Sequence, residues 1–316
     1  MKRVPLWLTL VPLIAGLLVY WHFWSGWKDR FRADLNAALP DYTFTIGGFP
    51  YRLEANGSIR NNGTNDFDLV DFAAARLRAN RAPWVRDLTV FSADRVDGIT
   101  SLGKIGGGTV EYKATAAETS LHRVDQRLAR LSVVFTGLRA TTDLFAAPIA
   151  ADHFEVHVRE TPARSNEAWS ATPPQQAQVV LAGTKVRFAG SAPLTLALDA
   201  GITATAPLRD LETWVHGGTV EIHDAVLSDA SGEVARLSAS IVDTVGQLRL
   251  TGTVTTVCPA SVRAAVDGTP PVAESRLRNP VRLALGGTPG FFVLAPLPAG
   301  APTAVRGQLP PCPRLR

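Results

Sequence analysis

Two stretches of this 316-residue chain carry residue types that can do chemistry, and each has to be weighed against its spacing. His153, Glu155 and His157 alternate in HFEVHVRE. On a strand they share one face at i, i+2 and i+4, and three such groups in a row are all metal ligands in principle. Residues two apart on a strand stand roughly 7 Å from each other. That is too far for one ion without ligands from a second strand, and the order is not the helical H-E-x-x-H. The expectation is a solvated strand face. Gly98–Ile105 (GITSLGKI) follows the phosphate loop G-x-x-x-x-G-K-[ST] except at its last position. There Ile105 replaces the hydroxyl that would hold Mg²⁺, and Gly106, Gly107 and Gly108 follow where a helix should begin, so a glycine-rich turn is expected. No G-x-S-x-G occurs, and neither cysteine has an adjacent His or basic residue to activate it. Asn56-Gly-Ser58 and Asn62-Gly-Thr64 fit the glycosylation pattern, but the composition looks bacterial and they are set aside. The chain reads as a non-enzyme with no catalytic residue, no cofactor and no metal site.

The elements that carry these residues begin with an apolar N-terminus. From Val4 to Trp27 there is no Asp, Glu, Lys or Arg. Leu6–Trp24 would extend about 28 Å as a helix, enough to cross the hydrocarbon of a bilayer. Its ten Leu, Ile, Val and Phe residues favour insertion by about 3 to 6 kcal/mol, and Pro12 is tolerable in a membrane helix. A cleaved signal peptide would have a shorter apolar core and small residues at its end. Here the run ends in Trp21, Trp24 and Trp27, the arrangement of an interfacial aromatic belt. The reading is an uncleaved signal anchor over 5–24, after a cytoplasmic segment 1–4. Lys2 and Arg3 are nearly balanced by Lys28, Arg30 and Arg32, so charge alone leaves the topology close to a tie. Cys258 and Cys312, the two cysteines, tip it: a pair in a non-cytoplasmic domain reads as a disulfide, against two unrelated thiols in a reducing compartment. The bulk of the chain is therefore expected in the periplasm, anchored in the bacterial inner membrane by a single span with its N-terminus in the cytoplasm. The formal charge is +4, and the 32 basic residues are scattered. No concentrated patch marks a nucleic-acid partner.

Trp27, Phe31 and Leu35 recur at i, i+4 and i+8 among charged residues, which predicts an amphipathic juxtamembrane helix over 25–39. Its stripe could lie on lipid or cap a sheet. After Pro40 the period becomes two. HFEVHVRE, AARLRAN (Ala74–Asn80), KVRFAG (Lys185–Gly190), PLTLALD (Pro193–Asp199), TVEIHDAV (Thr219–Val226) and QLRLTGTV (Gln247–Val254) all alternate. That argues for a mainly β protein of antiparallel amphipathic sheet, elongated or duplicated, in a first part 40–160 and a second part 179–316. Short helices are expected at Pro207–Val215 and Pro259–Val266. Polar, proline-rich residues 161–178 read as a linker or long loop. The ordered matches APWVRDL, GGTVE and ARLS (from Ala82, Gly107 and Ala129) and APLRDL, GGTVE and ARLS (from Ala206, Gly217 and Ala235) point to an internal duplication.

TIGGFPYRL (Thr45–Leu53) interrupts the first strand pattern with Gly47, Gly48, Phe49, Pro50, Tyr51 and Arg52. Glycine inside a strand marks a bend and Pro50 lacks an N–H, so an edge strand bending near the membrane is expected, with Phe49 and Tyr51 on one face. A single span, a DLNAAL segment and then TIGGFPYRLE resembles a proteobacterial envelope family catalogued as domain of unknown function 2125. Gly48-Phe49-Pro50-Tyr51-Arg52 is the specific part, and Asn279–Pro302 is similar to that family's closing hairpin. More distantly the chain resembles AsmA-like envelope proteins. That resemblance implies an inner-membrane anchor, an elongated periplasmic β structure, and phospholipid or another amphiphile as a partner in an apolar groove. The alternative expectation is a non-catalytic structural or assembly module acting through envelope protein partners.

Overall fold

In the computed structural model the chain is one antiparallel sheet carried on the end of a long helix. The structure describes residues 6–59, 70–101, 109–124, 127–142, 145–160, 175–189, 191–203, 218–244, 247–270, 273–288, 291–297 and 309–315. Helix α1 (Leu6–Ala38) runs unbroken through Pro12 and joins the expected span and the juxtamembrane segment into one rod. By length and composition it is long and apolar enough to cross a membrane. It stops just before Pro40, whose ring disfavours helical backbone in the preceding residue.

Among the described residues fourteen strands follow: β1 (Tyr42–Gly47), β2 (Leu53–Ile59), β3 (Val70–Arg81), β4 (Leu88–Ser101), β5 (Thr109–Val124), β6 (Arg127–Thr142), β7 (Phe145–Glu160), β8 (Gln175–Phe188), β9 (Leu194–Thr203), β10 (Thr219–Asp229), β11 (Gly232–Thr244), β12 (Gln247–Thr256), β13 (Val281–Thr288) and β14 (Phe291–Pro296). They lie side by side in chain order, each antiparallel to the next. At about 4.8 Å between strands, thirteen spacings make a sheet roughly 60 Å long. β7 pairs directly with β8, so the two expected β parts belong to a single sheet. β8 begins at Gln175, inside the stretch read as linker up to residue 178. The helix expected at Pro259–Val266 is present as α2 (Pro259–Asp267). The one expected at Pro207–Val215 lies outside the described residues. Both GGTVE matches lead into a strand start, at Thr109 of β5 and Thr219 of β10, and each ARLS lies in the next strand, β6 or β11. The two hairpins correspond. The preceding match does not, because β4 intervenes in the first series, whereas only five residues separate Leu211 from Gly217 in the second.

The stripe of α1 caps the sheet. Phe31 and Leu35 are 0% and 2% exposed, packed with Tyr42, Phe44, Leu53 and Ala55 of β1 and β2. Burying two such side chains contributes about 1.5–3 kcal/mol each. Arg81 at the end of β3 fastens the contact. Its guanidinium lies 4.6 Å from the Phe31 ring centre, pairs with Asp34 at 2.6 Å and donates through Nε to Thr89 Oγ1.

A second core closes the far end, where Leu194, Val234, Val254, Val262, Leu283, Leu294 and Leu315 surround Cys258. Pro259 opens α2, and the Glu274 carboxylate accepts from the free amides of Ala260 and Ser261. Cys258 and Cys312 are disulfide-bonded, with Cα atoms 5.8 Å apart. The bridge ties the C-terminal strip 309–315 to this core, and Cys312 N–H donates to the Glu274 carbonyl. A cross-link over 54 residues stabilises by about 4 kcal/mol in the chain-entropy account. Cys258→Ser/Cys312→Ser is therefore expected to lose stability of about that size in urea unfolding followed by circular dichroism; an unchanged midpoint would show that the bridge adds nothing to the fold.

Candidate functional site

The register places one residue of every strand in a single row. Ile46, Ala55, Ala79, Phe91, Thr119, Val133, Val156, Leu181, Leu198, Ala225, Leu237, Val254, Leu283 and Pro296 stand opposite one another in turn from β1 to β14. Thirteen of the fourteen are apolar; Thr119 is the exception. A parallel row two residues away runs Thr89, Leu121, Leu131, Val158, Val179, Ala200, Ile222, Ala239, Gly252, Leu285 and Leu294. The other face carries mixed rows such as Ser92, Glu118, Val134, Glu155 and Ala182, polar at three of five strands.

Strict alternation could not keep strands of up to sixteen residues apolar on one side if they bent without adjustment. A crease supplies the adjustment. Arg95, Thr115, Gly137, Asp152 and Lys185 occupy corresponding positions on β4 to β8, and the ladder skips all of them. On alternate strands the crease residue is left-handed: Arg95 (φ 50°), Gly137 (φ 63°) and Lys185 (φ 51°). Each strand thereby aims residues three apart at the same side, Ala93 with Val96, Ala114 with Ala117, Phe135 with Leu138. Gly137 is required, since a Cβ there would lie 2.2 Å from Thr115 Oγ1.

Along the crease the apolar side is buried, with Val96, Ala114, Leu138, Ala151 and Val186 all shielded. Rings from its two sides meet: Tyr112 and Phe135 pack edge to face at 5.9 Å. Tyr112 needs the bare backbone of Gly98, where a Cβ would fall 2.3 Å from the ring. Away from the crease Val133, Val156, Val158, Val179, Leu181 and Leu198 stay partly exposed although they sit mid-sheet. A face packed against a second layer would bury them, as in a sandwich. Among the described residues α1 packs on β1 and β2, α2 packs on β14, and no other helix is present. The site is thus an apolar trough along a single-layer sheet. Where α1 ends, a cavity of about 320 Å³ opens onto it, lined by Leu35, Phe91 and Leu121 and by the charged groups Asp34, Arg81, Arg86, Asp87 and Arg123.

The residues singled out for chemistry fall elsewhere. Gly98 to Ser101 lie in β4, the remainder of GITSLGKI lies outside the described residues, and Gly98 makes room for Tyr112. His153, Glu155 and His157 share the polar face of β7, where Glu155 takes His153 Nε2 at 2.8 Å and His157 Nε2 at 3.0 Å. The carboxylate fills the gap in which an ion would need a further ligand, and these hydrogen bonds hold its pKa below the ordinary carboxylate value, His157 contributing most. Cys258, Glu274 and Cys312 converge, but the two sulfurs are bonded to each other. The expected bend at TIGGFPYRL is a full reversal between β1 and β2. Gly48 (φ 92°) leaves no room for a side chain against the Arg52 carbonyl, 2.5 Å from its would-be Cβ. Phe49 packs on the helix while Tyr51 is turned outward and 80% exposed, so the two do not share a face. Trp21 is exposed, Trp24 is buried against Phe49, and Trp27 packs with Tyr20 and Phe23. The trough itself was foreshadowed in the sequence by alternation; the crease was not, because Arg and Lys give no sign of left-handed backbone.

Comparison of the chain with protein-family models, with curated proteins and with solved structures found no match in any of the three.

Two outcomes follow from this geometry. Gly98→Val forces Tyr112 off Phe135 and is expected to cost about 1–3 kcal/mol, the usual penalty of overpacking, read as a lowered denaturation midpoint. Glu155 is ionised more readily in the folded chain, so its contribution is present above the unfolded carboxyl pKa and fades as pH falls through the folded one. Glu155→Gln should accordingly be less stable than the parent at neutral pH, and the gap in thermal midpoint should close below about pH 4.5; a gap that persists in acid would discount these hydrogen bonds.

Proposed function

We propose that this chain is an inner-membrane-anchored, periplasmic, non-catalytic β protein of the cell envelope that holds lipid or a similar amphiphile along the apolar trough. The observation that carries the proposal is the row from Ile46 to Pro296, apolar at thirteen of fourteen strands and partly exposed at mid-sheet positions. Monomeric soluble proteins seldom leave contiguous apolar surface open on this scale, and such surfaces mark sites for apolar partners. At the cavity where α1 ends, Arg86 and Arg123 suit an anionic headgroup beside an acyl chain lying on Phe91 and Leu121, while Arg81 is taken by Asp34 and Asp87 pairs with His122. The disulfide accords with an oxidising compartment. The resemblance to the domain-of-unknown-function family and to AsmA-like proteins points the same way, by analogy. Phe291 and Val293, 80% and 66% exposed on the outward face of edge strand β14, favour a second reading in which the sheet assembles with envelope proteins through that edge.

A titration of the full chain in amphipol with a fluorescent phospholipid separates the two. Val156→Lys/Leu181→Lys puts two charges on the trough, and Val180→Lys puts one on the opposite face beside Asp199. Saturable binding that is lost in the double variant and kept in Val180→Lys is expected. A parent chain that binds no lipid, or all three binding alike, would leave the assembly reading.

A further inference from the structure

We infer that the β1–β2 reversal, Gly48–Arg52, is sunk into the membrane interface beside α1, so that the first two strands of the trough meet at the lipid surface. This rests on the reading of α1 as the membrane anchor. The stripe by which α1 meets the sheet does not begin at the aromatic end of the apolar run; it begins with Tyr20, one helical turn (about 6 Å) deeper than Trp24. The Tyr20 hydroxyl donates to the Pro50 carbonyl. Phe49 sits between the two rings, 5.9 Å from Tyr20 and 5.3 Å from Trp24. A loop that touches Tyr20 shares its depth. If the span runs over Leu6–Trp24, Phe49 and Pro50 lie below the plane of Trp24, inside the lipid layer.

The exposed chemistry of the reversal fits that placement. Phe49 keeps 40% of its surface open and Tyr51 keeps 80%, each an unusual exposure for an aromatic residue in water and the ordinary one at the headgroup boundary. The same level of α1 is ringed by Trp21 and Phe23, both more than half exposed. Cationic groups lie just beyond: Lys28, one turn farther along α1, reaches over the Trp24 ring at 5.7 Å. Aromatic groups below and a cation above are the layering of a membrane–water interface. The rigid form of the reversal supports a wedge rather than a loose loop, since Gly48 is sterically fixed and Arg52 N–H closes the turn on the Gly48 carbonyl at 3.1 Å. β1 runs back alongside α1 to this turn and β2 leads away from it, and the last apolar residue of β1, Ile46, begins the row that continues to Pro296. The lipid source for the trough is thus the leaflet into which this turn dips.

The test places photoactivatable p-benzoylphenylalanine singly at Tyr51, at Leu17 within the span, or at Val293 on β14 in the full chain. Each protein is reconstituted in vesicles of phosphatidylethanolamine and phosphatidylglycerol, irradiated, and scored for lipid adducts by mass spectrometry. The expected result is adduct at Tyr51 comparable with Leu17 and well above Val293. Adduct at Leu17 but not at Tyr51 overturns the inference and leaves the anchor standing. No adduct at either position removes the anchor and the inference together. Equal adduct at Tyr51 and Val293 overturns it as well, because the whole sheet would then lie on lipid.

Discussion

Everything in this molecule depends on keeping one face of a very long sheet apolar. Side chains alternate with a period of two, so a slip of one residue would turn a strand's whole apolar set to the wrong side. Strands of fourteen to sixteen residues cannot both bend and alternate strictly from end to end. The left-handed residues Arg95, Gly137 and Lys185 absorb the conflict by spending three residues where two would do, at matched positions on β4, β6 and β8. Left-handed backbone is unfavourable for Arg and Lys, and it persists where the surrounding ladder fixes it. The reward is an apolar face continuous through the crease, closed at the bottom by Tyr112 and Phe135 and open along the strands beyond.

The helix and the disulfide solve a different problem, that of ending a sheet whose first and last described strands, β1 and β14, do not pair with each other. A fourteen-stranded open sheet has two free edges, and free edges invite pairing with other chains. At the first edge, Phe31, Leu35 and the Arg81–Asp34 contact lay α1 over β1 and β2. At the other, α2 and the strip held by Cys312 build a small core against β13 and β14. The edge of β14 still presents Phe291 and Val293. The two ends are thus unequal, one anchored to an apolar helix and the other left partly open.

The polar groups that first attract a chemist serve the polar face. Glu155 is satisfied between two histidines, Asp152 pairs with Lys185 beside the crease, and Lys113 pairs with Asp97 on neighbouring strands. Exposed pairs of this kind contribute little each, yet they keep one side of the sheet wet and the other available to apolar partners. That division, more than any single residue, is what the proposed lipid-holding role uses.

By itself the sequence determined the local periods: an apolar helix, the stripe Trp27–Phe31–Leu35 continuing it, alternation in the strands, and α2 behind Pro259. These are legible because periodicity is a property of neighbouring residues. The polar stretch read as a linker hid the first residues of β8, since Gln175–Gln178 carry too little apolar pattern to announce a strand. Whether the Trp27–Phe31–Leu35 stripe met lipid or protein, whether the β region was one sheet or two, and where GGFP turned were decided only in three dimensions. Each depends on residues far apart in the chain, Phe31 on Arg81, β7 on β8 across residues 161–174, and Phe49 on Tyr20. The crease is the clearest case. Its residues are ordinary in composition, and their backbone is set by paired strands rather than by any preference of their own.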